Sequence, residues 1–412
     1  MSERTVHVLG VGVVGFGWMG QVHARAYTRL HHHYPELGLR PRLVAVADPA
    51  DDGRRDEAVA AYGFEVSSPD WRDIVGRDDV GAVSVTGPNF VHREVAVAAA
   101  EAGKHVWVEK PVGRGAAEAR AVADAVHASG VQSAVGFNYR NAPAVERARE
   151  LVGEGRLGRI EQVDVRMLAD YSAHPQGALS WRFEAARAGS GVLGDLVCHG
   201  IDLARYVVGD PAALVSDAAT FITERPRATG AGSHFARVEG GQLGPVENED
   251  YASALLRFGR GARGTLIASR VAVGEQCAYG IEVHGDRGAL AWDFRRMGEL
   301  RLCLDQDYQD AAWQTQLVNV DAGEFRVFQP GSGIAMGYDD LKVIEAARFV
   351  RSITDSKPYG ATIDDAVAAA DVVAAMQVSA RDGRWVELSE LASERSDAAT
   401  FTAAASDSEP ER

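Results

Sequence analysis

Through the first third of the chain, short apolar runs alternate with segments of helical spacing. Residues 8–14, 43–47, 80–86 and 105–109 are apolar runs of strand length. The stretch from about Gln21 and residues 54–62 and 92–102 place apolar positions three and four apart. Strands alternating with helices predict a parallel sheet covered by helices on both faces. The run 82–85, small and largely apolar, suits a strand buried on both sides. After Asn141 the period changes. Residues 160–167, 251–258, 265–271 and 281–284 alternate apolar with polar, and Gly259-Arg260-Gly261 and Gly285-Asp286-Arg287-Gly288 read as hairpin turns between such runs. This half predicts a large, mainly antiparallel open sheet. The glycine-rich, polar stretch 228–248 reads as a long loop or lid. Helices are expected at 339–353 and 363–380, one of them packing back on the first domain, and residues 393–412 read as a disordered tail.

The turn between the first strand and helix carries Gly15-Phe16-Gly17-Trp18-Met19-Gly20. In that position the first glycine suits a tight turn, the second lets backbone approach a pyrophosphate, and the third lets helix and strand pack closely. The fold class is therefore α/β: an N-terminal Rossmann dinucleotide-binding domain over 1–140 and a C-terminal α+β domain with the open sheet over 141–392. Asp48 ends the second strand, where a carboxylate accepts hydrogen bonds from an adenosine ribose and disfavours a 2′-phosphate. NAD is the expected cofactor. Arg54 and Arg55 follow closely and keep NADP open.

With 412 residues there is chain enough for two cores. The net charge of −15, with no basic block interleaved with aromatics, argues against nucleic acid as a partner. No stretch approaches the ~20 apolar residues of a membrane helix, and residues 1–7 are polar, so a cytoplasmic location with no membrane partner is expected. Three scattered cysteines cannot build a disulfide framework or a four-thiolate zinc site. The adjacent His31, His32 and His33 do not converge on one ion, and no metal is expected.

Two constellations carry candidate chemistry. The third strand runs into Thr86-Gly87-Pro88-Asn89 and the fourth into Glu109-Lys110-Pro111, both opening on the ligand crevice of such a sheet. Further on, Asp195 precedes His199 by four residues, one helical turn, which would let the carboxylate orient the imidazole as an acid–base group. A capping aspartate followed by a buried, hydrogen-bonded histidine accounts for that spacing equally well.

Gly15 to Gly20, Asp48, Pro88-Asn89 with His92, Glu109-Lys110-Pro111, Val135-Gly136-Phe137-Asn138-Tyr139-Arg140 and Gly191 through Asp195 to His199 occur in the order found in the Gfo/Idh/MocA oxidoreductases. The chain resembles that family over residues 6–390. Gly87 departs from the family's direct Thr-Pro-Asn run and would shift the loop under the nicotinamide. The resemblance implies hydride transfer between nicotinamide and a secondary hydroxyl of a sugar, glycoside, anhydrosugar or cyclitol, in a homodimer or homotetramer. Lys110, Asp195 and His199 match the catalytic set. Asn89 and Glu109 match positions near the nicotinamide ribose, alongside Pro88 and His92 on the cofactor side. Tyr139, Arg140 and Asp202 fall where the family lines its sugar pocket. Trp181 and Arg182, with His174, add aromatic and hydrogen-bonding groups suited to a polyol, though each could equally be structural. Three other readings remain open: an NAD-dependent glycosidase working by oxidation and elimination, a dinucleotide-binding regulator without catalysis, and an aldehyde or imine reductase.

Overall fold

A computed structural model of the chain describes residues 7–227, 237–304 and 307–390. The expected tail, 393–412, and residues 228–236 of the expected lid lie outside the described residues. Strands β1 (His7–Val14), β2 (Leu39–Ala47), β3 (Val66–Ser68), β4 (Ala82–Val85), β5 (His105–Val108) and β6 (Ser133–Val135) form a parallel sheet in the order β3-β2-β1-β4-β5-β6. Parallel neighbours need crossovers. These are α1 (Trp18–His33), α2 (Arg54–Tyr62), α3 (Arg72–Val75), α4 (Asn89–Glu101) and α5 (Ala116–Ser129). All four residues of β4 are buried, as a strand covered on both faces requires. The strand order reverses between β1 and β4, which opens a crevice at their carboxyl ends. Helices α1 and α4 begin about one turn earlier than their apolar spacing indicates, because Gly17 and Pro88 occupy their N-caps and bring no apolar side chain to mark the start.

The chain leaves this sheet through a tight turn at Asn138–Asn141 and α6 (Pro143–Gly153). It then enters a nine-stranded sheet through β7 (Ile160–Leu168). Next come α7 (Ala185–Ala188), α8 (Cys198–Val207), β8 (Pro211–Ala219), the small ribbon β9 (Glu224–Pro226) and β10 (Leu243–Pro245), then β11 (Tyr251–Phe258), β12 (Arg263–Ser269), β13 (Ala278–Gly285), β14 (Gly288–Asp293), β15 (Glu299–Leu304) and β16 (Gln314–Leu317). The large sheet runs β16-β15-β14-β13-β7-β12-β11-β8-β17, and β7 with β12 is its parallel pair among the described strands. Both glycine turns fall where the hairpins require them, joining β11 to β12 and β13 to β14. The stretch expected to be one long loop is in part structured, since β10 pairs with β9 and Arg237 bridges to Gly177.

Period-two alternation sets the faces of this sheet. Val163, Val165 and Met167 of β7 are buried, while Gln162, Asp164 and Arg166 alternate onto the other face. After α9 (Phe325–Phe328), helices α10 (Tyr338–Asp355) and α11 (Ile363–Asp382) return to the first sheet before β17 (Val386–Glu387) closes the edge of the second. Helix α10 lies along α1, where Arg25 and Arg29 each stand 2.6 Å from Asp339 and Asp340. Its Val343, Ala346 and Val350 share a core with Tyr27, Leu30 and Trp107. Helix α11 is joined to α5 by Arg120 and Asp371 at 2.7 Å.

Candidate active site

At the end of β1, Gly15 adopts φ +91°. A Cβ there would stand 2.5 Å from Gly87 Cα, so the ends of β1 and β4 meet this closely only because Gly15 carries no side chain. The extra Gly87 is thus the packing partner of Gly15. Gly17 differs: nothing lies within 4 Å of where its Cβ would stand, and α1 starts beside it with no side-chain cap. An uncapped helix start next to side-chain-free backbone offers free amides and a positive dipole end to an anion. These residues fit a dinucleotide pyrophosphate.

Around this loop several expected cofactor residues take other places. Phe16 turns its ring into the core, edge-on to Tyr62 at 5.1 Å and Phe64 at 5.6 Å, and only its amide belongs to the loop. That amide donates to Asp48 Oδ2 at 2.7 Å, Ala50 donates to Oδ1 at 2.9 Å, and Arg54 reaches Oδ2 at 3.3 Å. A carboxylate has about four acceptor sites, so Asp48 keeps one for a ribose hydroxyl. Arg54 also grips Asp52, and Arg55 donates to the carbonyls of Asp48 and Ala50, so both guanidinium groups are engaged within their own loop. Trp18 is 59% exposed and stacks on Tyr338 of α10 at 5.2 Å; the Tyr338 hydroxyl donates to Met19 Sδ at 3.7 Å. Pro88 caps α4, and Asn89 donates to the Ala188 carbonyl at 2.9 Å.

His92 does not open on the crevice. Its ring nitrogens lie 2.8 Å from the carbonyls of Pro111 and Gly87, so it clamps two loops together from behind. Glu109 also points away, toward His23 of α1 and Lys342 of α10. Neighbouring side chains of an extended segment alternate, so Glu109 faces the core and Lys110 the crevice.

Lys110 Nζ donates to Asp195 Oδ1 and to the Asp195 carbonyl, both at 2.9 Å. The second carboxylate oxygen accepts from the Tyr171 hydroxyl. Asp195 therefore braces the ammonium rather than the imidazole, contrary to the expectation from spacing. The cause is local: Leu193–Val197 is a π-helical turn, so His199 in α8 is not stacked one regular turn above Asp195. His199 instead packs against Tyr139 at 4.6 Å and Phe137 at 6.0 Å, with 5% of its surface exposed. Burial, and then the Lys110 charge, hold the imidazole well below the ordinary histidine range, so it is neutral. Burial would raise Asp195, but Lys110, Arg182 and Tyr171 together bring it far below the usual carboxylate range. Burial alone would lower Lys110, and Asp195 more than reverses it.

Among the expected sugar-pocket residues, Arg140 and Asp202 pair with each other, and Arg140 also reaches Asp365 of α11 at 3.1 Å. They tie three elements together, and the Asp202 carboxylate and the Arg140 guanidinium are engaged with each other. Tyr139 lies in an aromatic cluster with Tyr279 and Phe294, and only its edge toward His199 belongs to the site. Trp181 and Arg182 do reach the cleft, which they line with Asn89, Tyr171, Asp195 and Arg270. The sequence reading missed Tyr171, three residues past the end of β7, although a polar aromatic just beyond a strand end is the signal that could have found it. Another hollow, of about 600 Å³, lies on the outer face of the large sheet, and Lys110, Asp195 and His199 are not among its lining residues. Among the described residues no helix is long and apolar enough to cross a membrane.

Comparison with known proteins gives the family. Residues 9–137 match an oxidoreductase family with an NAD-binding Rossmann fold, and residues 145–291 match the GFO/IDH/MocA C-terminal domain. Levoglucosan dehydrogenase of Pseudarthrobacter phenanthrenivorans is 36% identical over 93% of this chain and 99% of its own length. Inositol 2-dehydrogenase of Rhizobium meliloti is 28% identical over 84% of this chain and 97% of its own. A solved levoglucosan dehydrogenase in complex with NADH and levoglucosan superposes with a TM-score of 0.86 at 34% identity, covering 93% of this chain and all of the other. The chain belongs to the Gfo/Idh/MocA family of NAD-binding oxidoreductases.

Proposed function

We propose that the protein oxidises a secondary hydroxyl of a cyclic sugar, anhydrosugar, glycoside or cyclitol, with NAD as hydride acceptor. One observation carries this reading: Lys110, just past the end of β5, meets Asp195, in the π-turn before α8, at 2.9 Å, with neutral His199 in the first turn of α8. The bound nicotinamide supplies the hydride acceptor. His199 takes the hydroxyl proton, because an alcohol is too weak an acid at neutral pH and a placed base contributes ~10²–10⁴ in rate. Lys110 keeps its proton and faces the developing alkoxide in a site with little water. Asp195 holds Lys110, and Tyr171, bound to the other oxygen, stops the carboxylate from turning. Trp181 and Arg182 lie where a ring and its hydroxyls would rest. The committed guanidinium groups of Arg54 and Arg55 favour NAD over NADP. The names of the relatives, which include 1,5-anhydro-D-fructose reductase of Ensifer adhaerens at 34% identity over 57% of this chain, support a cyclic polyol. Free cysteines at 198, 277 and 303 suit the reducing cytoplasm, and the two units 1–140 and 141–392 serve as cofactor and substrate domains.

The test is a panel of pyranoses, anhydrosugars, inositols and glycosides, read by NADH formation and product analysis. Ketone formed in step with NADH is the expected result. Release of an aglycone without net NADH would replace this reading with redox elimination, and no NADH from any cyclic polyol would overturn it.

A further inference from the structure

Behind the crevice lies a cluster of ionisable groups that the mechanism above leaves unused. His23 of α1, Glu109 at the end of β5, and Lys342 and Glu345 of α10 meet with side chains no more than 8% exposed. Lys342 Nζ donates to Glu109 Oε1 at 2.5 Å and to Glu345 Oε1 at 2.8 Å. His23 Nε2 lies 3.0 Å from the same Glu109 oxygen. Trp107 and Asn141 donate to the two oxygens of Glu345 at 2.8 and 3.1 Å. The remaining Glu109 oxygen accepts the Lys110 amide at 3.3 Å. Both carboxylates are thus engaged at every oxygen. His23, Glu109 and Glu345 present ligand atoms within 4.8 Å of one another, a grouping that could hold a metal ion. The Lys342 ammonium, bonded to both acids, occupies that place, so the cluster carries its own cation.

Burying so many ionisable groups is costly and is best repaid where the set fixes a unique geometry. Here the geometry concerns Lys110. Glu109 and Lys110 are consecutive residues whose side chains reach separate partners, Lys342 and His23 for one and Asp195 for the other, so holding one side chain restricts the direction of the next. Gly136 leaves room for this seat, because a Cβ there would stand 2.4 Å from both Glu109 carboxylate oxygens. Burial alone would push Glu109 up, yet Lys342 and His23 hold it well below the usual carboxylate range. His23 itself is lowered to about 4, first by burial, and is neutral. The ammonium is therefore the one cation facing Glu109 within the cluster.

We propose that Lys342 is a positioning residue for the reaction: acting through Glu109, it sets the direction of Lys110 and couples it to the helix that returns from the C-terminal region. This rests on the role given above to Lys110. The same helix contributes Tyr338, stacked on Trp18 of the glycine loop, so α10 touches both the cofactor turn and the strand end bearing the lysine.

The test uses the full chain with Lys342→Gln, which keeps donors without charge, Lys342→Met, and the double variant Lys342→Met/Glu345→Gln. Three readouts are taken: amine labelling of Lys110 resolved by peptide mass spectrometry without cofactor, NADH binding by fluorescence, and kcat with an accepted polyol. In the single variants Lys110 should label severalfold faster and kcat should fall by roughly tenfold or more, since small misplacements are expensive. KM and NADH affinity should stay within about threefold, because the contacts that bind are untouched. In the double variant His23 is the group left to supply a charge to Glu109, so kcat should recover as pH falls toward the histidine range; the wild type should show no such rise. Wild-type labelling and kcat in Lys342→Gln and Lys342→Met would overturn the proposal. So would failure of all three variants to fold, which would assign Lys342 to stability alone. If the wild type oxidises no polyol while Lys110 labelling still responds to Lys342, the functional reading fails and the positioning role stands.

Discussion

Asp195 and His199 lie four residues apart on one segment, yet their surroundings give them opposite charge states. The carboxylate is surrounded by Lys110, Arg182 and Tyr171 and stays ionised; the imidazole is packed against Tyr139 and Phe137 and stays neutral. A histidine whose pKa is lowered in the folded protein remains a base until the pH falls through that lowered value. The acid limb of kcat/KM should accordingly fall well below ~6.5, the value of a solvated histidine. An inflection near 6.5 would show the ring to be open to water in the working enzyme. At this scale the sequence reveals which residue types recur at which spacing and little about direction. Lys110, Asp195 and His199 were legible because each sits in a short local motif. That Asp195 turns to Lys110 was not, because a single π-turn redirects the carboxylate without changing the spacing. Arg140 and Asp202 were assigned to the pocket by the family resemblance, which carries no direction, and the fold shows them paired with each other, with Asp365 of α11 beside Arg140.

Elements position these side chains, and two glycines separate packing from binding. Gly136 ends β6, and its missing side chain leaves room for Glu109. Gly136→Ala should lose about 1–3 kcal/mol of stability in denaturant unfolding, as overpacked sites do. Gly17 faces open space, so Gly17→Ala should fold with wild-type stability and yet bind NADH roughly tenfold more weakly, because the new methyl projects where backbone must approach a pyrophosphate. Equal stability losses in the two variants would contradict this division. The parallel sheet and its helices were legible because hydrophobic period and glycine turns agree there. The second sheet was only partly so. Strands β8 and β16 lack clean alternation, β15 alternates (Leu300, Leu302, Leu304) but is only six residues long, and the β9–β10 ribbon lies within a polar, glycine-rich stretch. In α10 a signal was present: Lys342 and Glu345 interrupt the apolar run of Leu341, Val343, Ile344, Ala346 and Ala347. Their partner Glu109 lies 233 residues away in sequence from Lys342, beyond the reach of any local pattern.

In the whole molecule, helix α11 packs on both sheets, and among the described residues no helix covers the outer face of the larger sheet. Leu255 and Ile267 are exposed on it beside the 600 Å³ hollow between Arg166, Glu282 and Arg301. A half-apolar sheet face of this size calls for cover by a second copy, so sedimentation should give a dimer or tetramer, and a monomer at micromolar concentration would contradict that expectation. The central claim concerns a smaller space, where an ammonium from one sheet and a neutral imidazole from the other converge on one hydroxyl. The most direct measurement is single-turnover hydride transfer in Lys110→Met and His199→Ala with NADH affinity measured in parallel. The account predicts that transfer falls by about 10² or more in each while NADH binds within a few-fold of wild type. Near-normal transfer in both variants would contradict it.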